Sequence, residues 1–311
     1  MKNTSKTIVF FGSGPVAAKS LELLLQHISI EVVITKPRLK HHKGDVPVLE
    51  LAERLGIPVM TAVDKRSLDE LFASDPAKSE LAILIDFGII VSQKVIDYFS
   101  RGIINSHFSL LPEWRGADPI SFSILGGQKK TGVSLMLLTA GMDEGPLLAQ
   151  ADYDMEPRIT TPALTADLIE LSDLALREII PLYLDGQIVP MDQMQATISD
   201  SVEPTYSRKL TKSDGIIDWH KSASQIEREI RAFIEWPKTR TKFGNIDVII
   251  TAASTITSSG TVGQPTIINK KPVVFCGKDA LVIEKIKPAG KKEMTGEAFL
   301  AGYKSIFLAK S

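Results

Sequence analysis

Cysteine is nearly absent: 311 residues carry one, Cys276. A single thiol excludes an intrachain disulfide framework and a zinc ribbon, and it fits a reducing compartment. Long apolar runs are missing too, and no stretch approaches the length that spans a bilayer. The opening MKNTSKTIVFFGSG is basic and then briefly apolar, but Gly12 breaks it too early for a secretory leader, so it reads as a first strand. There is no internal repeat and no Cys/His/carboxylate cluster to hold a metal. The expectation is a cytoplasmic protein with no membrane partner.

The length favours two domains. The net charge of −1 conceals an asymmetry. Before Pro204 stand 18 basic and 27 acidic residues, a balance of −9; from Pro204 onward 18 basic and 10 acidic residues give +8. Charge segregated in this way points to a polyanion on the C-terminal half, although any single lysine also serves solubility.

Strand signals at Thr7–Phe11, Ile30–Thr35, Ile57–Met60, Leu81–Ile85, residues 103–107 and Val133–Leu138 alternate with helical patterns at Ala17 to Gln26, Val48–Leu55 and Ser67–Phe72. That alternation predicts an α/β fold with a doubly wound, mostly parallel sheet. Pro162 to Leu184 reads as a long helix. The boundaries follow as a first domain over 1–189, a linker over 190–205 and a second domain over 206–311. The second holds one helix, Ala223–Phe233, and short β runs at Asp247–Thr251, Thr266–Ile268, Val273–Cys276 and Leu281–Ile286, which suits a small OB-like β-barrel.

Gly12-x-Gly14-x-x-Ala17 after a strand approaches a dinucleotide fingerprint. A nucleotide site also wants an acidic residue where the second strand ends, and here that strand ends in Thr35-Lys36-Pro37. The glycines therefore read as permitting a strand-to-helix turn, whose helix start still suits a phosphate. Within GIINSHFSLLPEWRG (102–116), an extended backbone sends Asn105 and His107 to the same side, an amide donor beside a titratable ring. Asp143, in the Gly-bracketed loop after the strand near Val133–Leu138, brings a carboxylate that favours a protonated imidazole. Taken singly, each also fits a plain structural role: a hydrogen-bonded core histidine, or a turn-capping aspartate.

The order of these motifs resembles the folate-dependent formyltransferases. Asn105-x-His107 with Ser109-Leu110-Leu111-Pro112, then Gly132-Val133-Ser134 and Gly141-Met142-Asp143-x-Gly145, carry the resemblance. Trp114-Arg115-Gly116-Ala117-x-Pro119-Ile120, Tyr206-x-x-Lys209-Leu210, Ile217-Asp218-Trp219, Ile230-Arg231-Ala232-Phe233, Trp236-Pro237 and Pro288-Ala289-Gly290-Lys291-Lys292-x-Met294 narrow it to the branch that formylates methionyl-tRNA. The resemblance spans essentially the whole chain. It implies transfer of the formyl group of 10-formyltetrahydrofolate to the amino group of charged initiator tRNA through a tetrahedral intermediate. Asn105 would be the neutral donor to the developing oxyanion, His107 the charged donor, and Asp143 the group that moves the amine proton.

The resemblance assigns the folate co-substrate to Phe87, Gly88, Ile89, Ile90, Ser109, Leu110, Leu111, Pro112, Leu138 and Gly141. It assigns the tRNA to Gly12, Arg38, Lys40, Lys43, Arg115, Lys209 and Lys291. No metal and a monomer are expected. The chain departs from the family in a shorter basic loop over 36–45 containing His41-His42, in Asp86-Phe87 where the family has small or aromatic residues, and in Asp118 where it has alanine. The short loop leaves an alternative acceptor open, a nucleotide-linked amino sugar.

Overall fold

The computed structural model describes residues 7–38, 44–196 and 203–308. Lys40, His41, His42 and Lys43 of the basic loop lie outside the described residues. The chain divides into two compact units. The first comprises Met1–Pro119, Lys130–Asp154 and Thr165–Ser207; the second comprises Ile120–Lys129, Met155–Leu164 and Arg208–Ser311.

The elements up to the first unit's central strand are β1 (Thr7–Phe11), α1 (Pro15–Leu24), β2 (Ser29–Thr35), α2 (Pro47–Leu55), β3 (Val59–Thr61), α3 (Lys65–Phe72), β4 (Ala82–Leu84), α4 (Gln93–Tyr98) and β5 (Ile103–His107). Then come β6 (Arg115–Gly116), α5 (Pro119–Gly126), β7 (Lys130–Leu137), β8 (Leu147–Asp154), α6 (Thr161–Leu184), α7 (Gln193–Ala196) and β9 (Tyr206–Ser207). Local chemistry explains the helix ends. Pro15 and Pro47 open α1 and α2, Gly56 closes α2 in the left-handed region at φ 67°, and Asp64 with Ser67 forms a capping box on α3.

The seven-stranded sheet runs β3-β2-β1-β4-β5-β7-β8. Strands β1 to β5 are mutually parallel, with β1 buried from Ile8 to Phe11 because both sheet faces are covered. The chain order reverses between β1 and β4, so the carboxyl ends of those strands flank the switch-point crevice. Phe11 packs there with Phe72, Phe87 and Phe99, ring centroids 5.3 to 6.0 Å apart. Phe87 thereby anchors the segment that follows β4.

Beyond β5 the mostly parallel sheet is completed by antiparallel pairings: β7 pairs antiparallel with β5, and β8 antiparallel with β7. The β8 strand escaped the sequence reading because Leu147–Asp154 turns from apolar to polar halfway along. Its short connection from β7 permits only the antiparallel arrangement. A second consequence concerns Asp143. Leu137 pairs with Ile104, at the amino end of β5, so the loop over 138–146 leaves the sheet at the end opposite to the expected crevice and folds back along β5.

The second unit contains α8 (Ala223–Ala232), β10 (Arg240–Phe243), β11 (Ile246–Ile256), β12 (Pro265–Ile268), β13 (Lys271–Phe275), β14 (Ala280–Pro288), β15 (Met294–Thr295) and α9 (Gly296–Phe307). Its sheet is antiparallel in the order β10-β11-β14-β13-β12, with β15 added on β14, and among the described residues no pairing joins β10 to β12. The small β domain is thus an open half-barrel. Over 206–311, where the sequence suggested one helix, the described residues hold two α-helices, α8 and α9. In α9, Phe299, Leu300 and Phe307 form a buried stripe, with Tyr303 and Ile306 packed against the same core. Phe299 lies among Phe243, Tyr303 and Phe307 with no exposed surface. Phe299→Ala is expected to cost about 3–5 kcal/mol through the cavity it leaves, read as a lower urea midpoint for the second unit; an unchanged midpoint would show that α9 is not part of its core.

Candidate active site

Strand β5 is buried at all five positions although three of them are polar. Asn105 and His107 keep 7 % and 6 % of their surface. Buried polar groups require partners: Asp143 supplies that of Asn105, and the Trp114 carbonyl that of His107. Asn105 Nδ2 donates to Asp143 Oδ1 at 3.2 Å, the Gly116 backbone N–H donates to Oδ2 at 2.8 Å, and His107 Nδ1 stands 3.8 Å from Oδ2. Alternation along β5 does put both side chains on one side, and the three candidate residues meet over β5.

The His107 ring has a defined orientation. Its Nε2 lies 2.9 Å from the Trp114 carbonyl oxygen, which only accepts, so Nε2 carries a hydrogen. That leaves Nδ1 facing Asp143 at a separation too long for a full hydrogen bond but short enough for charge attraction. Nδ1 is therefore the ring nitrogen left without a full hydrogen bond, facing the Asp143 carboxylate across this gap.

The turn after β5 is braced by Ser134, part of the motif Gly132-Val133-Ser134, and by residues that the sequence did not single out. Ser134 Oγ donates to the Ser109 carbonyl at 2.7 Å and accepts from Leu111 N–H at 2.9 Å; Gln150 Nε2 donates to the Leu111 carbonyl at 2.8 Å. Thr205 holds the next segment: its Oγ1 accepts from Trp114 N–H and its carbonyl from Arg115 N–H, both at 2.9 Å. Gln193 is 2 % exposed. Its Nε2 donates to the carbonyls of Asp143 and Gly145, each at 2.8 Å, while its Oε1 accepts from Arg115 Nη2 at 2.8 Å. Part of the stretch read as a linker, 190–205, is thus built into the first unit beneath the site. Its polar composition held no signal for this, because only the tertiary partners make Gln193 a buried residue.

The remaining expected positions divide by burial. Phe87, Ser109, Leu110 and Leu111 are buried, and Pro112 with them, so they shape the site from behind. Gly88, Ile90 and Met142 face solvent, Ile89, Leu138 and Gly141 are half-buried, and Ile90 is 76 % exposed. The Thr139 hydroxyl, between Leu138 and Gly141, is buried without a hydrogen-bond partner. Gly12 is buried at the end of β1, donating to the Ile34 carbonyl. Arg38 is exposed and paired with Glu50 at 3.0 Å. Arg115 is buried, with its guanidinium on Gln193. Lys209 and Lys291 are exposed on the second unit, Lys291 Nζ lying 5.5 Å from the Tyr303 ring centroid.

Four non-glycine residues around the crevice have positive φ: Asp86 (44°), Trp114 (55°), Asp118 (59°) and Asp143 (50°). Aspartate tolerates that region, whereas Trp114 requires the clamps described above. Asp86 follows β4, whose last residue Leu84 pairs with Asn105. The residue is exposed overall, while its carboxyl folds back over Gly14. Burial, reinforced by Asp118 and opposed by Lys36 and the Ala17 N–H, pushes its pKa up to about 6. A carboxyl raised on folding adds stability at low pH that disappears as pH rises through the folded value. Asp86→Asn is therefore expected to raise the Tm at pH 7.5, with the gap to the native protein closing as pH falls to about 4; a gap independent of pH would contradict that environment.

Similarity to known proteins agrees with this geometry. A methionyl-tRNA formyltransferase of Magnetococcus marinus is 31% identical over 306 residues, covering 96% of this chain and 96% of the relative. That of Herpetosiphon aurantiacus is 34% identical over 312 residues, covering 96% and 98%. The N-formyltransferase from Helicobacter canadensis, solved with folinic acid and dTDP-3-aminofucose, shares the fold with a TM-score of 0.66 at 18% identity, over 89% of this chain and 98% of that one. Residues 6–180 match the family described as Formyl transferase, and residues 209–304 match Formyl transferase, C-terminal domain. With both units matched in order and the relatives covered end to end, the chain belongs to the formyltransferase family.

Proposed function

We propose that this formyltransferase moves the formyl group of 10-formyltetrahydrofolate onto the amino group of methionyl initiator tRNA, in the cytoplasm and as a monomer, for translation initiation. The observation that carries the reading is the convergence of Asn105, His107 and Asp143, in a chain aligned end to end with methionyl-tRNA formyltransferases. The folate is held by Gly88, Ile89, Ile90, Leu138 and Gly141, in front of the buried Phe87, Ser109, Leu110, Leu111 and Pro112. The buried, unpartnered Thr139 hydroxyl fits a ligand with polar edges in that place.

The amine attacks the formyl carbon, and negative charge builds on the formyl oxygen. Asn105 Nδ2 and His107 Nδ1–H donate to that oxygen. As the new C–N bond forms and the bond to the folate nitrogen breaks, Asp143 takes the proton from the attacking amine and returns it to the departing nitrogen. Arg38, Lys40, Lys43, Lys209 and Lys291 meet tRNA phosphates, with Gly12 beside the acceptor end and Arg115 backing the loop from beneath. The excess of +8 in the C-terminal part supports such contacts, and binding falls steeply with salt.

The full chain with 10-formyltetrahydrofolate is expected to formylate charged initiator tRNA in preference to a nucleotide-linked amino sugar; formylation of the sugar alone would overturn the acceptor. Asn105→Ala or His107→Ala is expected to lower kcat about 10²–10³-fold while leaving tRNA affinity nearly unchanged, measured by single-turnover kinetics beside filter binding.

A further inference from the structure

The glycine loop after β1 ends at the start of α1, where free N–H groups and the helix dipole make a ready anion site. That site is already filled. Ser13 N–H and Gly14 N–H donate to the Asp86 carbonyl at 3.1 and 3.3 Å, the Ala17 N–H donates to the Asp86 carboxylate, and Pro15 has no N–H to give. One residue therefore takes the donors of the loop with its backbone oxygen and its side chain together. The fit is reciprocal: a Cβ on Gly14 would stand 1.8 Å from Asp86 Oδ2, so only glycine leaves room for the carboxylate. Asp86 has a positive φ and is anchored by its neighbour Phe87 in the aromatic cluster around Phe11. Lys36 and Asp118 are the charged groups that act on it.

We propose that Asp86 is a specificity-determining residue, a built-in anion seated at the start of α1 that closes the glycine loop to substrate phosphate. An acceptor whose phosphate must sit in this loop, at the switch point, is refused by occupancy and by like charge. An acceptor whose phosphates lie elsewhere is admitted.

The test uses the full-length protein, isotope-labelled, with sodium sulfate as probe at pH 7.5 and constant ionic strength. The amide resonances of Ser13, Gly14, Val16 and Ala17 are followed. In the native protein they are expected to show no saturable shift. In Asp86→Ala they saturate, with affinity at least about tenfold tighter than in the native protein. Asp86→Asn, which keeps the shape and removes the charge, gives a smaller gain and stands in should the alanine variant not fold. Saturable binding by the native protein at the affinity of Asp86→Ala would overturn the proposal, as would folded variants that both stay unresponsive. Because no turnover is read, this result is independent of the acceptor assay.

Discussion

The carboxylate of Asp143 is the interaction on which the rest of the first unit depends. One oxygen accepts from Asn105 on β5, the other accepts from the Gly116 backbone and faces His107. Three separate stretches of chain are thereby joined at a single side chain. The geometry is demanding, since Asp143 sits in left-handed backbone on a loop that leaves the far end of β5 and doubles back. Gln193 makes this possible by holding the Asp143 and Gly145 carbonyls from below while bracing Arg115.

From that clamp follows the chemistry. A site for acyl transfer needs donors fixed before charge develops, because donors that reorganise during the reaction waste their electrostatic advantage. Asn105 is fixed by Asp143, and the His107 ring is fixed by the Trp114 carbonyl, itself held through Thr205 and the braces on Ser134. With Nε2 held by that carbonyl, Nδ1 is the ring nitrogen that faces the Asp143 carboxylate. Asp86 adds the complementary constraint at the neighbouring strand end, where it fills the helix start with the protein's own charge.

Much of this was legible in the residues, for identifiable reasons. Strands β1 to β5 and their helices are punctuated by Gly and Pro, so period and breakers locate them, and alternation alone placed Asn105 and His107 together. Three things were not legible. The reversed direction of β7, which returns β8 to the sense of β5, depends on a loop length that a half-polar strand disguises. Helix α9 carries a clear apolar stripe, Phe299, Leu300 and Phe307, but follows a run of short strands that biases the reading towards β. The burial of Gln193 and the bracing hydrogen bonds of Thr205 and Gln150 leave no local mark, because such polar residues find their partners far along the chain. The same holds for Asp86: its sequence position marked it as a departure, and only the structure explains it, through the missing side chain of Gly14.

The central claim is that Asn105 and Asp143 act as one unit rather than as two independent contributors. A double-mutant cycle on formyl transfer, with Asn105→Ala, Asp143→Asn and both together, tests it most directly. If the clamp is the working unit, the double variant loses kcat/KM by no more than about threefold beyond the worse single variant. Losses that multiply would contradict it, and the two residues would then have to be regarded as separate donors that share a crevice.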